Sequence, residues 1–497
     1  MRFFLYFCSF KYLRDMNITR NKINYNTLDR PLIFLYGNEV AARALPLRRD
    51  EVACVGRRRA EDALALVVFD RLPHKLYVQN FDAERPAAEV QEKLRCAAAA
   101  LQLLLAEQQV TEVAVSGEGI LPEEMVAFLE GLHMATYRFD RYKSKKEKLI
   151  ADVVVEERFV EQDALEENLR LWRRIDLCRD WVNEPPMQLN APTFADLLKA
   201  EAERVGVTCT VFGQRKLESL KMGGLLGVNR GSEDEARMVV LEYKPKTRIN
   251  SRPVALVGKG IMYDTGGLSI KTGDYMLEMK SDMAGAATMA SALFAAAENQ
   301  LPIHLLAVLP LTDNRPGRNA YAPDDILRMY DGTTVEVTNT DAEGRLILAD
   351  AIAYADQQEP ELIIDAATLT GAAVRALGTR VAAVMQHDAE GPLSLLRIVG
   401  DQVHERLWEL PLWEEYDELL KSEVADMINC NLKANAGTIT AGRFLAHFAH
   451  HPYIHIDIAG TAFYSKREQY FGAGASGFGI RLLYAFFQTY DALSARK

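Results

Sequence analysis

The chain of 497 residues lacks any apolar run long enough to cross a bilayer, any CxxC pair, any internal repeat and any low-complexity segment. Its six cysteines (Cys8, Cys54, Cys96, Cys178, Cys209 and Cys430) are scattered. That pattern suits reduced, mostly buried thiols in a cytoplasmic protein. Excess positive charge is also missing: the net charge of −11 argues against general affinity for nucleic acid or an anionic membrane. Three catalytic signatures are absent. No HExxH occurs, so His447 and His451 read as surface or packing residues. No GxxxxGK[ST] follows any strand, and Gly474-Ala475-Ser476-Gly477-Phe478 misses the GxSxG elbow at its last residue. What remains is ordinary for a soluble globular protein, with 49% hydrophobic and 26% charged residues. The length implies two domains or more.

Residues 1–30 read as a poorly ordered extension. Met1–Cys8 resembles a signal peptide only faintly, with a short apolar core and no small-residue cleavage site, and Met16 is an alternative start. From Pro31, short apolar runs alternate with helical patterns: strands at Pro31–Tyr36, Ala63–Phe69, Lys75–Val78, Val110–Val115 and Leu149–Val155, and helices at Ala87–Gln108 and Pro122–His133. This defines an N-terminal α/β domain over 31–158. The basic stretch Arg141–Lys148 reads as a solvated edge. A charged amphipathic helix, Glu161–Trp181, ends at Pro185-Pro186 and reads as a connector over 159–190. A second α/β series fills 191–497. It has a helix at Thr193–Val205 with Thr193 as its cap, a small-residue helix at Met283–Ala297, and strands that include Val254–Val257, Ile303–Val308 and Leu362–Asp365. The fold class is α/β: a smaller N-terminal domain, then a catalytic domain with a largely parallel central sheet flanked by helices.

The second series carries the chemistry. In Val337–Arg345, the residues Asp341, Glu343 and Arg345 occupy alternate positions, and in an extended backbone all three would project from one side. Upstream, Gly258-Lys259-Gly260 and Asp264-Thr265-Gly266-Gly267 begin where a strand ends, the edge on which α/β sheets bind ligands. Lys259, Asp264 and Lys271 emerge from that loop. Asp282 precedes the small-residue helix and reads either as its N-cap or as a ligand. Asp264, Asp282, Asp341 and Glu343 packed together would be untenable without cations. Carboxylate oxygens favour hard or borderline dications such as Zn²⁺, Mn²⁺ or Mg²⁺.

In GKGIMYDTGGLSIK (258–271), MKSDMAGAA (279–287) and NTDAEGRLILADA (339–351), with WELPLWEEY, KSEVADM and HIDIAGTAF further on, the chain resembles the leucyl aminopeptidase (cytosol aminopeptidase) family. The resemblance covers the catalytic half almost throughout and the N-terminal domain in outline. It implies two divalent ions, Zn²⁺ or Mn²⁺, one held by Lys259, Asp264, Asp282 and Glu343, the other by Asp264, Asp341 and Glu343. It implies that Lys271 polarises the scissile carbonyl and that Arg345 holds a bicarbonate serving as general base. Met279, Thr368, Leu369, Gly371 and Ala459 match positions lining the substrate pocket. The implied substrates are short peptides beginning with leucine or another apolar residue, and the implied assembly is a cytoplasmic homo-hexamer. The alternative is a scaffold or DNA-binding protein that keeps the fold. One departure stands out: Asn435-Ala436-Gly437-Thr438 has alanine where the family leads one to expect glycine.

Overall fold

The computed structural model describes residues 16–37, 46–71 and 74–490. The chain divides between Asp176 and Leu177, and Lys466–Gly472 returns to the first unit. That division falls inside the helix Gln162–Asn183, the segment expected to connect the domains.

In the first unit, β1 (Asn17–Asn21), β2 (Leu32–Tyr36), β3 (Leu66–Phe69), β4 (Leu76–Asn80), β5 (Glu112–Glu118) and β6 (Asp152–Glu156) form one sheet in the order β1-β6-β5-β2-β4-β3. All pairs are parallel except β3 with β4. Strands β2 and β4 are buried throughout, the amides Gln79 and Asn80 of β4 included, and the continuous apolar run of β2 follows from burial on both faces. The helices Ala87–Glu107 and Pro122–Thr136 pack against each other. One expectation is corrected here. Residues 17–21 lie in the stretch read as a poorly ordered extension, yet they pair with β6 in register from Asn17↔Asp152. This edge strand buries only Ile18 of its five residues, too little for an apolar period to be legible. Met1–Cys8 lies outside the described residues.

The second unit holds β7 (Thr208–Phe212), β8 (Arg237–Tyr243), β9 (Val254–Gly258), β10 (Gly260–Asp264) and β11 (Leu305–Asn314). After them come β12 (Ile326–Arg328), β13 (Thr334–Glu336), β14 (Leu362–Ala367), β15 (Ala382–His387), β16 (Leu407–Glu409), β17 (Met427–Ile428) and β18 (Tyr453–Asp457), while β19 (Phe463–Glu468) and β20 (Gly472–Ala475) pair with each other where the chain passes between the units. The main sheet runs β16-β15-β18-β14-β9-β11-β8-β7. Its centre, β18-β14-β9-β11, is parallel, whereas β15 and β8 border it antiparallel. Strands β12, β13 and β17 form a small separate sheet.

Strand β11 pairs in parallel with β9 along its first half and with β10 along its second. Lys259 therefore sits in a one-residue break within what is otherwise one strand line. The helices Ala284–Glu298 and Gly344–Asp356 both pack on β9, β11 and β14. The first comes very close: a Cβ at Gly285 would lie 2.1 Å from the Ala366 carbonyl oxygen. Its cap corrects the N-cap reading of Asp282. Met283 is the N-cap, and Asp282 belongs to the preceding 3₁₀ turn Met279–Met283. Thr193 is not a cap either, since Asn190 accepts its N–H at 3.0 Å. Among the described residues no helix is long and apolar enough to cross a membrane.

Candidate metal and catalytic site

Lys259 and Asp264 lie at the C-terminal ends of parallel strands of the main sheet, and Lys271 and Asp282 on the segment leading from β10, where the ladder stops and side chains are free to converge. Lys259 follows β9, Asp264 ends β10 and Thr368 follows β14. Asp341, Glu343 and Arg345 converge by a different route from the one expected. The backbone is not extended there: Asp341 lies in a turn, Glu343 is already in the right-handed helical region at φ −77°, and Arg345 is in the helix Gly344–Asp356. A glycine at 344 lets this helix begin against the Lys259 side chain.

Two lysines each bridge two carboxylates. Lys259 Nζ lies 2.8 Å from Asp282 Oδ1 and 3.0 Å from Glu343 Oε1, and donates to the Thr368 carbonyl at 3.0 Å. Lys271 Nζ lies 2.8 Å from Asp264 Oδ2 and 2.6 Å from Asp341 Oδ1. Oxygens of Asp264, Asp341 and Glu343 all stand within 4.8 Å of one another. Asp282 is buried, with Thr368 Oγ1 donating to Oδ1 at 2.8 Å, and its Oδ2 has no hydrogen-bond partner among the described residues. The two ammonium groups balance only half the charge of four carboxylates. Such a set fits divalent cations with oxygen and amine donors.

The electrostatics follow from this crowding. Burial, with Glu343 and Asp264 adding to it, pushes the Asp282 carboxyl well above the usual range against the pull of Lys259. Burial and the same two neighbours raise Asp341 to about 6, opposed by Lys271. Burial acts to lower both lysines, but the surrounding carboxylates outweigh it and hold both ammonium groups firmly protonated. The Tyr321 phenol, which donates to the Thr340 carbonyl at 2.9 Å, is raised by burial and then by Glu343, Asp264 and Asp341. It senses the same negative field.

Arg345 is buried. Its Nη1 donates to the Asn429 carbonyl at 2.8 Å, and its Nε has no partner among the described residues. Met279 opens the 3₁₀ turn that carries Asp282 and is half-buried. Leu369 and Ala459 sit side by side beyond β14 and β18, because Asp457 Oδ1 accepts the Leu369 N–H at 3.2 Å and the Ala459 N–H at 3.1 Å. Gly371, exposed, begins the helix Gly371–Leu377, which Thr370 caps.

Several residues that shape this site carry no charge signal in the sequence. Asn314, the last residue of β11, donates to Asp264 Oδ1 at 2.8 Å and to the Thr340 carbonyl at 2.9 Å. Reading β11 through Leu309–Asn314, rather than ending it at Val308, would have brought Asn314 to the strand end. Thr340 ties the two acidic loops, donating to the Gly266 carbonyl at 2.6 Å and accepting the Ser269 N–H at 2.7 Å. The residues set aside remain apart. Ser476 is buried with its Oγ donating to the Thr461 carbonyl at 2.6 Å, His451 pairs with Asp356 at 2.8 Å, and His447 packs edge-on against Phe448.

The chain is similar to known proteins along most of its length. The profile of the cytosol aminopeptidase family's catalytic domain matches residues 176–484, and that of its N-terminal domain matches residues 85–146. A probable cytosol aminopeptidase of Chlorobium limicola is 42% identical over 416 residues, covering 78% of this chain and 82% of that one. Another, from Chlorobaculum tepidum, is 45% identical over 380 residues, covering 73% and 75%. Among solved structures, the bottromycin maturation enzyme BotP in complex with Mn superposes with a TM-score of 0.82 at 31% identity, covering 93% of this chain and 99% of that one. A mutant of tomato leucine aminopeptidase shares the fold, with a TM-score of 0.81 at 24% identity over 95% and 96% of the two chains. Identity at this level along most of both sequences reflects common descent, and this chain belongs to the cytosol aminopeptidase family of peptide hydrolases.

Proposed function

We propose that the chain is a metallo-aminopeptidase that removes leucine and other mainly apolar N-terminal residues from short peptides. The observation that carries this reading is the convergence of four carboxylates and two lysines around the C-terminal ends of β9 and β10. Lys259, Asp264, Asp282 and Glu343 would hold one divalent ion, Lys259 as the neutral amine once the ion displaces its proton, and Asp264, Asp341 and Glu343 the other, with Zn²⁺ or Mn²⁺ as occupants. BotP, whose structure is named as a complex with Mn, supports a divalent occupant here. When bound, the pair supplies Lewis acidity towards a peptide carbonyl and a water.

The chain's own residues do the rest. The free α-amine of a peptide, in its neutral form, would complete the ligand set of one ion, which favours cleavage at the peptide's end. Lys271, the more open of the two lysines, donates to the carbonyl oxygen as charge develops on it. Arg345 offers its unpartnered Nε to an anion, for which bicarbonate is the proposed occupant, and that anion takes the proton from the attacking water. Met279, Thr368, Leu369, Gly371 and Ala459 surround the departing residue's side chain. The assembly is a homo-hexamer and its compartment the cytoplasm in this reading.

The test is removal of metal by a chelator, verified by elemental analysis, with a leucine chromogenic amide as substrate. Activity should vanish and return with Zn²⁺, Mn²⁺ or Co²⁺. Full activity in verified metal-free protein would overturn the reading, and light scattering that shows a fully active monomer would remove the hexamer.

A further inference from the structure

The turn that presents Asp341 and Glu343 is fastened by one side chain from a distant part of the sequence. Asn429 follows β17, and the parallel pairing of β17 with β13 continues into it, where its N–H donates to the Glu336 carbonyl at 3.0 Å. From there its amide is used on both sides. Oδ1 accepts the Thr338 N–H at 2.8 Å, the Thr338 hydroxyl at 3.1 Å and the Asn339 N–H at 3.4 Å. Nδ2 donates to the Asn339 carbonyl at 2.8 Å and the Ala342 carbonyl at 3.4 Å. Its own carbonyl accepts Arg345 Nη1 at 2.8 Å. The residue is 0% exposed, so none of these groups has water as a substitute.

We propose that Asn429 is a positioning residue for the aminopeptidase reaction: it fixes where Asp341, Glu343 and Arg345 stand and touches no substrate. The proposal rests on the site reading above. An amide suits the place because it joins acceptor and donors in one short plane. A carboxylate would keep the bonds from the Thr338 and Asn339 N–H groups but would lose both donors. The segments it joins carry acidic groups that repel one another, so the turn needs an external fastening to keep one geometry.

Asn250 provides a matched control. Its amide does the same chemistry, accepting the His304 N–H at 2.7 Å and donating to the carbonyls of His304 and Arg252 at 2.9 Å each, but at the N-terminal edge of β9 and β11, away from the site. The experiment compares Asn429→Ala, Asn429→Asp and Asn250→Ala with the parent, measuring kcat, KM, thermal midpoint and bound metal per chain. Asn429→Ala should lower kcat by about 10- to 100-fold, the usual range for supporting residues of a metal site, with metal held more weakly. KM should change by less than about threefold, since the proposed pocket residues stand on other loops. Asn250→Ala should lower the midpoint and keep kcat, and Asn429→Asp should fall between Asn429→Ala and the parent. A kcat within about twofold of the parent in folded Asn429→Ala overturns the proposal. So does a loss that Asn250→Ala reproduces at equal destabilisation, which would make the role structural only. Should Asn429→Ala not fold, Asn429→Asp decides by the same criterion. A parent that is inactive when loaded with Zn²⁺ or Mn²⁺ removes the site reading itself, a result distinct from any behaviour of the variants.

Discussion

Gly344 faces the side chain of Lys259 so closely that a Cβ at 344 would lie 2.4 Å from the lysine Cε and 2.7 Å from Nζ. The atoms in the way are the far end of a flexible side chain. Gly344→Ala should therefore leave folding nearly intact while displacing the amine from Asp282 and Glu343. Its kcat/KM should fall by at least about tenfold, with metal bound less tightly. Steady-state kinetics beside metal counting check this, and parent-like values in both would show that the lysine shifts without consequence.

Arg345 and the proposed metal ligands should respond differently to truncation. A guanidinium has no lone pair for a cation, so Arg345→Ala should keep its metal and lose about 10²–10⁴-fold in kcat, the usual worth of general-base assistance. Added bicarbonate should raise the rate of degassed parent enzyme and do almost nothing for the variant. Loss of metal from Arg345→Ala would instead make the arginine a structural support.

Ala436 occupies the position where glycine was expected, and its φ of +66° lies in the left-handed region. Ala436→Gly relieves strain of about 1–2 kcal/mol. It adds about 0.4–1 kcal/mol of chain entropy to the unfolded state. The variant should thus unfold at an equal or higher temperature, by up to about 1.6 kcal/mol of added stability. A clear drop in calorimetry would mean that the methyl group makes a contact outweighing the strain.

Asp350 links stability to pH. It is wholly buried, accepting the Leu225 N–H at 2.9 Å and the Tyr330 N–H at 2.8 Å, and burial raises its carboxyl to about 7. The unfolded group ionises near 3.8. The folded form therefore holds a proton that the unfolded chain releases between those values. The contribution is complete below the lower value and is lost as pH rises through the upper one. Urea midpoints of the parent should fall from about pH 4 to about pH 7 and level off above that, and Asp350→Asn should flatten that slope. An unchanged slope would assign the pH dependence to other groups.

Much of the site was legible because its chemistry is local in sequence. Lys259, Asp264 and Lys271 fall within fourteen consecutive residues (258–271), and Asp341, Glu343 and Arg345 within five. The strand before Lys259, β9, is an apolar run buried on both faces, as is β14 before Thr368, and such runs need no partner to be recognised. Helix ends came within a few residues, as for Ala87–Glu107 and Ala284–Glu298. Strand β1 was not legible, because one buried isoleucine in five residues makes no pattern.

By itself, the sequence determined which residues could bind a cation, which strand ends present them and which family the motifs resemble. All of that follows from side-chain type and short-range spacing. Tertiary structure alone decided how the groups meet. Alternation in an extended strand suggested that Asp341, Glu343 and Arg345 share a side; a turn and the first residues of a helix bring them together instead, because Gly344 opens room for a lysine from another strand line. Asn314 and Asn429 are neutral, carry no motif and lie far along the chain from the groups they hold. Their importance comes from being buried beside those groups, and burial beside a given partner is a property of the packed fold.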